Sequence, residues 1–170
     1  SLTIRKVREV LLTPIALLDP ATYVRGLVQQ VDVFFLHQLL DEGKGATRYD
    51  LVGLSVLQAL DESVPLSDAV ELQKKYHTRV VVGGKWAQDI NTELISQFQK
   101  ADIELFHGAG ETLFGGTQID YDRYPSWDPR DFETLGEVHG EIMTMRGCPF
   151  HCNFCHNTEH NLSYFSPSRT

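Results

Sequence analysis

The amino-acid sequence predicts an α/β chain built on a doubly wound, five-stranded parallel sheet. Three observations predict it. Between residues 5 and 114, short apolar runs alternate with stretches whose apolar residues recur at helical spacing. Several of the runs stop at turn formers, such as Thr13-Pro14, Gly83-Gly84 and Gly108-Ala109-Gly110. The stretches between them are long enough for helical crossovers, and strands joined that way pair in parallel. Roughly five strands fit the length.

The elements follow in order. Val7 to Leu12 reads as a first strand, closed by Thr13-Pro14. A helix starts near Asp19-Pro20, because proline is accepted in a first turn. Val31 to Phe35 reads as a second strand. Leu51 to Val56 is the third; its near-continuous apolar run suits a strand covered on both faces. Pro65 opens a helix to about His77, with Leu66, Ala69, Val70 and Gln73 at helical intervals. Arg79 to Val82 is the fourth strand, ended by Gly83-Gly84. A helix capped by Asn91 runs to Lys100 and buries Leu94, Ile95 and Phe98. Ile103 to Phe106 is the last strand, followed by Gly108-Ala109-Gly110-Glu111. This first domain spans 1–115.

Residues 116–140 form a linker whose Tyr121, Tyr124, Pro125, Trp127, Pro129 and Phe132 suggest a segment packed over a neighbouring surface. Residues 141–170 form a third region, in which Glu141 to Met145 reads as a short strand leading into Arg146-Gly147. There is no internal repeat and no low-complexity tract.

The bulk numbers exclude some functions. The 170 residues are 42% hydrophobic, enough for a packed core. The net charge of −8, from 15 basic and 23 acidic residues, argues against nucleic acid or an anionic membrane as a partner. Lys74-Lys75, with Arg79 nearby, reads as the solvated end of a helix. Ser1 to Lys6 lacks a basic segment followed by an apolar one, and no run of about 18 apolar residues exists to span a membrane. The expected compartment is the cytoplasm. A start at serine suggests a trimmed N-terminus.

All three cysteines lie between positions 148 and 155, spaced C-x3-C-x2-C as Cys148, Cys152 and Cys155. An odd, clustered set is no disulfide framework and more often holds a metal. Thiolates suit zinc and iron–sulfur clusters alike. Such clusters normally take four thiolates. Three on a tight loop would grip three corners of a cubane and leave one iron open to a substrate. Zinc is the alternative, with His151, His156 or His160 completing a Cys3His set. Structural zinc usually pairs two separated C-x2-C units, however, and no second unit occurs.

Ligands of parallel sheets bind outside the carboxyl ends of the strands. Three segments stand there: Ser55-Val56-Leu57, Gly83-Gly84 and Gly108-Ala109-Gly110-Glu111. Small residues at strand ends let a bulky ligand approach the backbone, and Ser55 adds a hydroxyl. His107 reads as a polar wall residue or a surface histidine. Lys85 and Trp86 either cover the edge of such a ligand or do not touch it.

The run Arg146-Gly147-Cys148-Pro149-Phe150-His151-Cys152-Asn153-Phe154-Cys155 resembles the signature of the radical S-adenosylmethionine superfamily. The resemblance implies a 4Fe–4S cluster on Cys148, Cys152 and Cys155, with S-adenosylmethionine chelating the open iron through its amino and carboxylate groups. Reductive cleavage would then yield methionine and a 5′-deoxyadenosyl radical. It also implies that Phe154 lies against the adenine. Residues 141–170 would begin a partial (β/α)6 barrel that continues past Thr170, and Ser166-Pro167-Ser168-Arg169 would open its first helix.

The strand-end segments resemble the cobalamin-binding domain of cobalamin-dependent methyltransferases and of the cobalamin-binding branch of radical enzymes. In that family the S-x-L and G-G segments line the tunnel for the nucleotide tail. The resemblance therefore implies cofactor contacts at Ser55, Val56, Leu57, Gly83, Gly84, Gly108, Gly110 and Glu111. Two departures are visible. The last loop often reads G-E-G-E, and here Ala109 replaces the first acid. The D-x-H-x-x-G motif that supplies a cobalt ligand is missing after Leu12, and His37 is not in such a motif, so cobalt would have no lower histidine.

Together the two resemblances imply a cobalamin-dependent radical methyltransferase. It would act on a small-molecule or peptide substrate and draw electrons from a reductase or a flavodoxin-type donor. Two alternatives remain: a cyclisation or rearrangement enzyme with the same cofactors, and a non-catalytic cobalamin module with a zinc-stapled tail.

Overall fold

The computed structural model describes residues 21–40, 49–57, 63–108, 110–115, 129–130, 133, 145–153 and 163–164. The expected first strand, the Asp19-Pro20 helix start, most of the 116–140 linker and Ser166 to Arg169 lie outside these residues.

The centre of the fold is a three-stranded parallel sheet. Its strands are β1 (Leu51–Ser55), β2 (Arg79–Gly83) and β3 (Glu104–Leu105), adjacent in chain order with β2 in the middle. These are the third, fourth and last strands expected from the sequence. The two connections carry the helices α2 (Val64–Tyr76) and α3 (Thr92–Lys100). The described residues thus form a mixed α/β fold with a small parallel sheet; strands to complete a five-stranded sheet are not among them.

Local chemistry explains both helices. Pro65 sits in the first turn of α2, where its missing N–H is no loss. Asn91 caps α3: its Oδ1 accepts from the Leu94 N–H at 2.8 Å. Neither helix ends on glycine. His77, with φ 50°, closes α2, and Asp102, with φ 57°, follows α3. The Gln73 side-chain amide donates to the Asp102 carbonyl at 3.1 Å and ties the two turns together.

The core lies between the sheet and the two helices. Alternation along the strands turns Val52, Val80 and Val82 to one face, where they meet Ala69 and Leu72 of α2, Leu94 and Phe98 of α3, and Ile103. Phe98, Leu72, Val80 and Val82 are fully buried. Each contributes roughly 1.5–3 kcal/mol by leaving water. Ile95, expected in the core, is half-buried, on the flank of α3.

Two expectations need correction. Val31 to Phe35 is not a strand; the segment has no ladder partner among the described residues and leads into α1 (Leu36–Leu40). Gln38 explains the change: its Oε1 accepts from the Phe35 N–H at 2.8 Å, while its own N–H donates to the Phe35 carbonyl at 3.0 Å. This reach-back is half of a capping box, and it starts a helix where the apolar pattern suggested a strand. The second correction concerns β1, expected to be covered on both faces. Gly53 is exposed, and a Cβ there would meet nothing within 4 Å. Both described crossover helices lie on the opposite face.

At the amino ends of β1 and β2, α1 is held to α2. Lys75 Nζ donates to the carbonyls of Leu39 and Leu40 at 2.5 and 2.7 Å, and Tyr76 Oη donates to Leu39 at 2.8 Å. These donors satisfy the last carbonyls of a short helix. The Tyr49 ring meets Tyr76 edge-on at 5.9 Å, and its hydroxyl donates to Asp32 Oδ2 at 3.3 Å. Burial, with the Asp32 carboxylate adding to it, pushes the Tyr49 phenol up from 10.0 to about 12. Burial raises Tyr76 as well.

Candidate functional site

Two places carry the residues that the sequence singles out: the carboxyl edge of the sheet and the cysteine loop. At the edge, parallel pairing sets Ser55 beside Gly83. Val56 continues past β1 and joins the neighbouring turn. Its N–H donates to the Gly83 carbonyl at 2.9 Å, and its carbonyl accepts from the Trp86 N–H at 3.1 Å. The Phe106 N–H donates to Val82 at 2.9 Å and brings the third loop alongside. Gly110 and Glu111 lie in the 3₁₀ turn Gly110–Phe114 that follows. Ser55-Val56 and Gly83-Gly84 therefore adjoin at one edge, and Phe106, just before the third segment, lies beside them; Ala109 lies outside the described residues.

The glycines there are not equivalent. Gly84 has a φ of +93°, and a Cβ on it would stand 2.5 Å from the Val56 carbonyl oxygen and 2.8 Å from the Val56 nitrogen. Gly108 is likewise occupied: a Cβ would meet two Phe106 ring carbons at 3.1 Å and Thr112 Oγ1 at 3.2 Å. The chain's own atoms fill both spaces. Gly83 is looser, with Phe106 no nearer than 3.5 Å. Alternation puts Gly53, Ser55 and Gly83 on the sheet face away from α2 and α3. Leu57, just beyond, is 78% exposed. Of the glycines at this edge, Gly53 and Gly83 keep space where a side chain would stand, whereas Gly84 and Gly108 do not. Gly53 was missed in the sequence, although a lone glycine inside a strand signals close approach of another group.

Trp86 is half-buried. Its ring centroid lies 6.0 Å from that of Phe98, so it joins the core on the helix side. Lys85 and His107 are exposed.

The cysteine loop leaves β4 (Met145–Arg146), which pairs antiparallel with β5 (Ser163–Tyr164). Gly147, at φ 88°, turns the chain in a conformation that L residues disfavour. Cys148 follows at once and is half-buried; Cys152 is exposed, and both thiols are free. Pro149, Phe150 and His151 between them are also exposed. The donors fit a thiophilic metal: two free thiols stand on one tight loop that a glycine opens. Cys155, the third, lies outside the described residues with Phe154, His156 and His160. Among the described residues, no three metal-ligating side chains converge. The antiparallel pairing differs from the parallel pairing within a (β/α)6 barrel, and a barrel start is not among the described residues.

Comparison of the chain with protein-family models, curated proteins and solved structures finds no match. Among the described residues, no helix is long and apolar enough to cross a membrane.

Proposed function

We propose that Cys148, Cys152 and Cys155 hold a 4Fe–4S cluster and that the chain belongs to a radical S-adenosylmethionine enzyme. The observation that carries the reading is the C-x3-C-x2-C spacing on a loop that a left-handed glycine opens, with two of its thiols free. When bound, such a cluster supplies an electron for reductive cleavage of a sulfonium cofactor at its open iron. The protein's part is positioning. Cys148 would anchor the loop close to β4, and Cys152 would present its sulfur outward. Phe154 would offer a face to the adenine.

The parallel sheet is proposed to bind cobalamin on the face of Gly53, Ser55 and Gly83, with Leu57 at its rim. There Gly53 is exposed and carries no side chain, so a large ligand could approach the backbone of β1 beside the buried Val81. With both cofactors, the favoured activity is methyl transfer to an unactivated carbon of a small-molecule or peptide substrate. Ring closure or rearrangement would use the same residues. The electron donor would be a reductase or a flavodoxin-type protein, and the cytoplasm the compartment.

Anaerobic purification followed by reconstitution with iron and sulfide tests the metal. The expected product is a brown protein holding iron and inorganic sulfide in equal amounts. Replacing Cys148, Cys152 or Cys155 by Ala should abolish this loading. A colourless protein that retains zinc supports the stapled-tail alternative and refutes the cluster. Cobalamin is tested separately by extracting the protein and recording a corrinoid spectrum.

A further inference from the structure

The last strand brings to the carboxyl edge a residue that none of the loop segments contains. Leu105 packs against the helix-side core, so alternation turns Phe106 to the opposite face of the sheet. Its N–H bond to Val82 continues the ladder and sets it beside Gly83, across from Ser55. One row across the three strands therefore reads hydroxyl at Ser55, no side chain at Gly83 and phenyl ring at Phe106. All three residues are half-buried and keep contact with solvent.

The two glycines beside the ring differ in what they leave free. The ring carbons Cε1 and Cζ lie 3.1 Å from where a Cβ of Gly108 would stand, so a glycine at 108 is what lets the ring lie there. At Gly83 a carbon in the place of the missing Cβ would stand 3.5 Å from the Phe106 carbonyl oxygen, 3.7 Å from its Cβ and 3.9 Å from its Cδ1. These are ordinary contact distances. A ligand atom seated on Gly83 would thus touch Phe106 without displacing it. Neighbouring strands stand about 4.8 Å apart, which suits the thickness of a flat ring entering edge-on. A phenyl wall favours a stacked π-system, and the Ser55 hydroxyl can bond a polar group at the ring's edge.

We propose that Ser55, Gly83 and Phe106 form a notch that receives a flat, unsaturated ring of the bound corrinoid, with Gly83 as its floor and Phe106 as the wall that selects for the ring. The proposal deepens the cobalamin part of the function proposed above and rests on it. A corrinoid carries two such rings, the conjugated macrocycle and the base of the nucleotide tail.

The test uses the full chain with two probes, hydroxocobalamin and cobinamide, which has the macrocycle but no base. Equilibrium dialysis reads the affinity, and urea denaturation checks the fold. Gly83→Ala fills the floor. The φ of Gly83 is not positive and its contacts are ordinary, so the urea midpoint should stay within about 0.3 M of the unaltered chain. Hydroxocobalamin should bind about tenfold or more weakly. Phe106→Leu keeps apolar bulk but removes the flat face, and should weaken hydroxocobalamin about two- to tenfold, the scale of an aromatic contact. Loss shared by cobinamide places the macrocycle in the notch; loss confined to hydroxocobalamin places the base there. Should Gly83→Ala lower the midpoint, Phe106→Leu decides alone. If Phe106→Leu, or a normally folded Gly83→Ala, binds hydroxocobalamin as the unaltered chain does, the notch has no such role and the cobalamin reading survives. If the unaltered chain binds neither probe, the cobalamin reading falls and this proposal with it.

Discussion

Replacing Gly84 by Ala probes the turn that laces the carboxyl edge of the sheet together. The cost has two parts. A φ of +93° is disfavoured for an L residue by about 1–2 kcal/mol. The new methyl group would also meet the Val56 oxygen at 2.5 Å, its nitrogen at 2.8 Å and its carbonyl carbon at 3.0 Å. These are backbone atoms engaged in hydrogen bonds to Gly83 and Trp86, so they cannot withdraw without loosening both. Overpacking of this kind costs about 1–3 kcal/mol. The lower chain entropy of unfolded Ala returns about 0.4–1 kcal/mol. A net loss of about 2–4 kcal/mol follows, a large share of the 5–15 kcal/mol typical of a folded domain. Urea denaturation followed by far-UV circular dichroism reads it directly. At a slope of about 2 kcal/mol per molar the midpoint should fall by about 1–2 M with an unchanged slope. Gly53→Ala is the control: the site is open, and the change should be neutral or stabilise by up to about 1 kcal/mol. A Gly84→Ala midpoint within about 0.3 M of the unaltered chain would refute the reasoning. So would equal damage from the two substitutions.

Further outcomes follow from the same packing. Asn91→Ala removes the cap of α3 and should cost about 1 kcal/mol in urea denaturation, whereas Asn91→Asp should retain most of it. Phe98→Ala should cost about 3–5 kcal/mol by leaving a cavity between α3 and the sheet, and a smaller loss than for the half-buried Ile95→Ala would contradict the core described. Tyr49 holds its proton more tightly folded, at about 12, than unfolded, at 10.0, so its contribution is full below pH 10 and lost as pH rises towards 12. Two units correspond to about 2.7 kcal/mol, reduced to about 1 kcal/mol by solvent screening of a partly exposed group, so between pH 9 and 11.5 Tyr49→Phe should lose correspondingly less stability than the unaltered chain.

The middle of the fold was legible because its signals are local. Pro65, Asn91 and Gly83-Gly84 act on the backbone within a turn of where they stand, and the elements they bound appear within a residue or two of expectation. The misreadings arise where distant atoms decide. Val31 to Phe35 has a strand's composition, yet the Gln38 side chain takes the Phe35 N–H and starts α1 instead. The role of Trp86 stayed open because its position along the chain does not reveal Phe98, against which its ring packs. The cysteine spacing was legible as a donor set, but the closure of its loop was not. Nothing in Ser163-Tyr164 marks those residues as the partners of Met145-Arg146.

A glycine at a strand end can serve the chain or a ligand, and which it serves depends on what fills the place of its missing side chain. At Gly84 and Gly108 that place is taken by Val56 and by Phe106 with Thr112. Their smallness is therefore spent on bringing three loops to one edge. Gly53 and Gly83 differ: the first has nothing near it and the second only ordinary contact with Phe106. The two sets have separable consequences. Substitution in the first set perturbs the fold and would disturb any ligand indirectly. Substitution at Gly53 or Ser55 leaves the strand-end turn intact while raising or altering the open surface, so an effect on corrinoid binding there would arise from contact. The sheet can carry both roles because alternation turns Val52, Val80 and Val82 to the helix face and leaves Gly53, Ser55 and Gly83 on the other, beside the buried Val81.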